Sequence, residues 1–329
     1  MYLYDYNKTI FFINLIYEIP SFTLLLIVEI VLLLPKNKKA FQSSFFKMIF
    51  FNGIFDIISF IIFTFHHRLP NYGIFIDFYK YLSDINFDVR IIEFIRSFLS
   101  VAQLIGTFFL CLNRFTSIIF RLQYGCIWKY LLPLYYIIII TLPAIFTFPI
   151  LFDKMIYKPF NSSNINIGFK GRWVTFNADW YNSYIISMIL SLIFLTSCAI
   201  INFATFLLLL KYKKNTSIKV CGNNSHKNIN YSMEKKFFIL AVTCFCGQII
   251  LVTSHFVVNE FSRKKLYEQF YIMTLLFPVI NDITIFPNNW LLVFISSNIR
   301  CSIKELFCIK NKEVLSNIKT PHTHKKNNI

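Results

Sequence analysis

Seven long apolar runs follow one another along the chain, at roughly 11–34, 43–65, 92–118, 130–152, 183–210, 236–258 and 268–296. A helix needs about 20 mostly apolar residues to cross the hydrocarbon core of a bilayer. Each run is long enough for that, and too uniformly apolar to be the one-sided helix of a soluble fold. The pattern predicts an all-α chain: a seven-transmembrane helix bundle over residues 1–308 and a polar, basic tail over residues 309–329.

The stretches between the runs differ in charge. Those after the first, third, fifth and seventh runs hold 20 Lys and Arg residues, and the others hold 11. Basic loops stay in the cytosol, so the N-terminus is expected outside and the C-terminus inside. The formal charge of +17 comes from these scattered loops, with no basic stripe interleaved with aromatics. The expected surroundings are therefore a lipid bilayer, and nucleic acid is not an expected partner. Only 15% of residues are charged, against about a quarter in soluble domains. The opening MYLYDYNKT lacks a basic stretch ahead of an apolar core, so no removable signal peptide is expected and the first run directs insertion. The stretch from Lys211 to Lys236 reads as a polar, basic linker or contact surface.

Asn7 and Asn161 head N-glycosylation triplets on the expected outer side, although similar triplets at Asn215, Asn223 and Asn230 fall on the inner side. Eight cysteines show no C-x-x-C spacing, so neither a zinc cluster nor a disulfide framework follows. There is no H-E-x-x-H, G-x-S-x-G or glycine-rich phosphate loop. Neither an enzyme, a metal nor a cofactor is expected.

Polar groups inside the runs need partners, because hydrocarbon offers none. At 100° per residue, Arg96, Ser100, Gln103, Thr107 and Arg114 lie within about 40° of one direction on the third run. Arg96 and Arg114 stand about 27 Å apart along the axis, close to the hydrocarbon thickness. Either both reach for headgroups, with Glu93 pairing to Arg96, or Arg96 meets a ligand in an outer cavity. In that second reading the pocket comprises Arg96, Ser100 and Gln103, with His255, Tyr271 and Thr274. For His255 a hydrogen bond between helices is the simpler role.

On the second run Asn52, Asp56 and Ser59 share a face, and the seventh carries Thr274, Asn281 and Asn288 at seven-residue spacing. Asp282 lies beside them, with Pro278 and Pro287 able to kink the helix. Asn52, Asp56, Asn281 and Asp282 are expected at similar depth, as one intramembrane cluster. It either binds an ion or a proton, or holds helices together by hydrogen bonds. After the seventh run, Ile299, Ile303, Leu306 and Phe307 with Arg300 and Lys304 predict a short interfacial helix. Cys301 and Cys308 beside it are palmitoylation candidates, or plain thiols.

The stretch LNRFTSIIFRLQYGCIW at 112–128, with Asn113-Arg114-Phe115 and Trp128, resembles nematode serpentine receptors of class gamma and the closely related class V. Asn52 to Asp56, and Pro287 to Trp290 followed by LLVFISSNIR, are similar to the family too. The resemblance runs from about residue 11 to 308. It implies a G-protein-coupled chemoreceptor in the plasma membrane of sensory cells. A heterotrimeric G protein and a small-molecule ligand would be its partners, and Asn113 and Arg114 its coupling switch. Asn113 stands where rhodopsin-like receptors carry an acid, runs five and six lack proline, and Phe286 precedes Pro287. No cysteine occurs between Cys126 and Cys198, so the second outer loop lacks the disulfide that commonly ties it to helix three. Either residues such as Trp173 and Trp180 hold it, or the loop stays loose. The alternative function is a transporter or ion channel, with Asp56, Asn281, Asp282 and Arg96 lining the route.

Overall fold

The computed structural model describes residues 2–174, 183–217 and 225–318, with side chains described for most of 7–174, 186–211 and 234–307. The apolar runs fold as helices α1 (Tyr2–Leu33), α2 (Ser44–Phe63), α5 (Arg90–Ile119), α6 (Tyr124–Thr147), α7 (Ser183–Ser217), α8 (Ser225–Arg263) and α9 (Tyr267–Ile295). Between and after them lie α3 (Leu69–Asn71), α4 (Ile76–Asp84) and α10 (Ser297–Ile318), with strands β1 (Met155–Pro159) and β2 (Phe169–Trp173). Seven helical stretches among the described residues are long and apolar enough to cross a membrane. The protein is a seven-transmembrane bundle.

The third span, α5, is the shaft of the bundle. Its most apolar window is 61% buried, against 22–44% for the other spans, because α2, α6, α7 and α8 all pack on it. Small residues let them approach. Gly106 faces the Asn52 side chain so closely that a Cβ would lie 2.5 Å from its oxygen. Val101, Ile105 and Phe109 join Phe45, Met48, Tyr135, Leu240 and Leu292 in the main core. Ile16, Ile137 and Phe203 are exposed on the outside of the bundle, the surface that lipid tails cover.

Three elements depart from the expected pattern. The second span does not stop near residue 65. It passes through a π turn at Thr64–Arg68 into α3, because Arg68 and His66 find buried partners there. The stretch read as a linker after Lys211 is helical to Ser217 and again from Ser225. Helix α10 follows a break at Ser296, where an interfacial helix was expected, but Ile299 is buried and Ile303 and Leu306 pack on the main core. Ser302 donates to Asn37 at 3.2 Å, and Lys36 pairs with Glu305 at 3.3 Å.

At one end of the bundle β1 and β2 pair antiparallel, from Met155 opposite Trp173 to Pro159 opposite Phe169. The hairpin seats without a disulfide: Met155, Tyr157 and Phe169 bury against Leu69, Tyr79 and Val89. Gly168, at φ 121°, lies so close to α3 that a Cβ would stand 2.4 Å from the Pro70 carbonyl. Trp173 packs on the edge of this cluster, and Trp180 lies outside the described residues. Tyr157 and Phe169 anchor the hairpin together with Trp173.

Candidate functional site

The end of the bundle opposite the hairpin is organised by α5. Arg114 is buried, and its guanidinium lies 3.9 Å from the ring centre of Phe45 on α2 and 5.0 Å from that of Phe237 on α8. Its Nη1 stands 3.5 Å from the Glu234 carboxylate at the start of the sixth span. Ser117, one turn on, donates to the same carboxylate at 2.9 Å. Arg114 also donates to Asn113 at 2.5 Å, and Asn113 in turn donates to Tyr124 of α6 at 2.8 Å and to Ser44 of α2 at 3.3 Å. One arginine and its neighbours thus clasp four helices. Beside them opens a cavity of about 530 Å³ whose charged lining is Arg114, Arg121, Glu234, Lys236 and Arg300.

At mid-depth Asp56 accepts from Gln103 at 2.7 Å, and Asn52 accepts from Tyr135 at 2.6 Å. Cys244 donates to Asn288 at 2.9 Å. Asn52, Asp56, Gln103, Cys244 and Asn288 line a cavity of about 40 Å³, room for a water or two.

Nearer the hairpin, the buried Arg68 guanidinium meets Glu18 of α1 at 2.6 Å and pairs with Asp282 of α9. Tyr17 donates to the other Asp282 oxygen at 2.8 Å. Asn281 is buried, and its amide nitrogen has no hydrogen-bond partner among the described residues. The four residues expected to form one cluster thus sit in two layers. Asn52 and Asp56 belong with Gln103, and Asp282 belongs with Arg68 and Glu18.

The expected ligand residues divide as well. Arg96, Ser100 and His255 line a cavity of about 60 Å³ together with Glu93, Ser97 and Trp173. Arg96 forks onto Glu93, its Nε donating at 2.7 Å and its Nη2 to the second oxygen. The edge of His255 meets Phe277 at 4.6 Å. Gln103 lies one layer deeper, on Asp56. Tyr271 and Thr274 line neither cavity: Tyr271 accepts from Asn7, and Thr274 donates to its own helix at Phe270.

Asn7 is buried and its amide also reaches the Ile167 carbonyl, whereas Asn161 is exposed. Of the two, Asn161 has the accessible amide. Cys301 is exposed, and the Cys308 side chain lies outside the described residues. In the hairpin, Lys170 sits over Phe160 and Phe270, and burial, aided by Arg172, pulls its ammonium below the ordinary lysine value. Burial, then Tyr79 and Glu93, push the Tyr157 phenol up.

Glu18, Arg68 and Glu234 escaped the sequence reading. Glu18 carried a signal, an acid in the middle of an apolar run. Arg68 and Glu234 read as loop residues, since their contacts depend on helices that outlast the apolar runs.

A polar-cored bundle of seven crossing helices, gathered at one end around an arginine and opening beside it, is the architecture of serpentine, G-protein-coupled-receptor-like membrane proteins. Residues 11–303 match the family model of the Srg family chemoreceptors. The chain belongs to that family, the class gamma serpentine receptors, and is a multi-pass membrane receptor. No curated protein matches it.

Proposed function

We propose that this receptor is a chemosensor that couples a small ligand, bound between its helices, to a heterotrimeric G protein. The Arg114–Glu234 clasp carries the reading. It joins the third span to the sixth at the mouth of the one cavity among the three described above that is large enough to admit part of a protein partner. The hairpin end faces outward in this reading and the Arg114 end faces the cytosol, in agreement with the basic bias of the alternate loops.

A ligand drives signalling only by binding one helix arrangement better than another. The cavity of Arg96, Ser100 and His255 is the entry point on the outer side, and α5 runs from it to the clasp. Its size in this arrangement requires helices or side chains to part when a ligand enters. That coupling of entry to movement is what a switch needs. Hydrogen bonds to charged groups contribute about 1.5–3 kcal/mol, so opening the clasp shifts the two populations by roughly ten- to hundredfold. Asp56, Asp282 and Arg96, which a permeation route would use, have three separate sets of partners, and this favours the receptor over a channel.

The direct test is guanine-nucleotide exchange on a G protein reconstituted with the receptor in lipid, screened against small molecules, with solute flux followed in parallel. Ligand-dependent exchange is expected. Arg114→Ala should abolish the ligand dependence of exchange while the protein still reaches the membrane. Flux without exchange, or wild-type ligand dependence in Arg114→Ala, would overturn the proposal.

A further inference from the structure

His66, His67 and Glu93 bring three metal-ligating atoms within 4.8 Å of one another where the second and third spans meet at the hairpin end. Two of them are already spaced as ligands. His66 Nε2 stands 3.1 Å from Glu93 Oε2, close to the roughly 3.3–3.6 Å that separates two ligands bonded at about 2.0–2.2 Å to one tetrahedral zinc. The third ligand comes from His67, whose Nε2 is buried and has no hydrogen-bond partner among the described residues. Its ring is held by stacking on Phe63 at 4.7 Å.

The π turn at Thr64–Arg68 makes the arrangement. Its wider winding, a form often found at functional sites, lets consecutive histidines both turn toward α5. His66 Nδ1 is occupied by the Tyr157 hydroxyl of the hairpin at 2.8 Å, the outer-shell contact that metal-ligating histidines characteristically make. Arg96 forks onto the Glu93 carboxylate and fixes its direction.

We propose that His66, His67 and Glu93 bind a divalent transition-metal ion of the zinc type. Without the ion, Tyr157 donates to His66 Nδ1 and the Nε2 proton donates to Glu93. With the ion bound, that proton resides on Nδ1, Tyr157 accepts it, and the Nε2 lone pair faces the metal. Two imidazoles and one carboxylate leave a fourth position open, as catalytic and ligand-exchanging zinc sites do. The cavity of Glu93, Arg96 and Ser97 adjoins the carboxylate. Because the Arg96 charge offsets that of Glu93, this position suits an anionic donor. Uptake of the ion needs no G protein, so the proposal stands or falls apart from the signalling reading.

The test uses the full-length receptor in lipid nanodiscs, stripped by a chelator and titrated with Zn²⁺ against a fluorescent competitor. One site is expected, weakened at least tenfold by His67→Phe, which keeps the stacking on Phe63, and weakened less by Tyr157→Phe. Zn²⁺ should raise the thermal midpoint of the wild type and not that of His67→Phe. His226, His322 and His324 remain in every variant, so binding to them cancels. Should a variant fail to fold, X-ray absorption decides on a separate receptor with His226, His322 and His324 replaced by alanine and loaded with one equivalent of zinc, two imidazoles in the ligand shell being the expected result. Equal binding by wild type and His67→Phe, or a shell with fewer than two imidazoles, would overturn the site.

Discussion

Arg68 shows how strongly one residue can constrain a membrane fold. It is buried with Glu18 and Asp282, held by helices one and nine, and it also reaches the Pro278 carbonyl. Pro278 is one of two prolines inside α9. Removing one partner from a buried ion pair costs about 3–5 kcal/mol, because the other charge stays buried. Arg68→Met strands two carboxylates and should lower the thermal midpoint of the purified receptor sharply. Glu18→Gln, which leaves the Asp282 pair in place, should lower it far less. Equal midpoints for Arg68→Met and wild type would mean that the triad adds no stability. Hydropathy could not place Arg68 inside, since three residues beyond an apolar run it looked like an ordinary loop cation.

Among the elements, the seven helices were legible because a run of about 20 apolar residues has no other stable solution in lipid. The π turn was not, because a single residue of extra winding leaves the length and hydropathy of the run unchanged. Nor was the hairpin. Its strands are five residues each, and its anchors, Tyr79 and Leu69, come from far earlier in the chain. Gly168 was equally silent, although its position against the Pro70 carbonyl determines how the hairpin seats. Gly168→Ala adds a clashing Cβ at a φ of 121° that alanine avoids. The hairpin should lift from α3, which limited proteolysis between residues 155 and 173 would detect as faster cutting with the bundle intact. Unchanged protection would indicate that the loop has slack to absorb the change.

Across the whole molecule, the polar residues expected as one stripe all lie on α5, yet they do not make one site. Gln103 binds Asp56 at mid-depth, while Arg96 and Arg114 serve opposite ends. Depth counted along separate helices could not separate these layers, because Asp282 chose its partners from α1 and the π turn, which carry no seven-residue pattern. The result is a shaft with a small polar cavity at the hairpin end, a hydrogen-bonded middle and a clasp at the far end. In the proposed reading the clasp restrains the resting receptor. Glu234→Gln removes the charge that holds Arg114 and keeps an oxygen for Ser117. The decisive measurement is basal guanine-nucleotide exchange on the reconstituted G protein, with no ligand added and equal receptor in each sample. Exchange in Glu234→Gln should rise roughly tenfold or more over wild type, whereas a basal rate equal to or below that of wild type would contradict the clasp as the signalling switch.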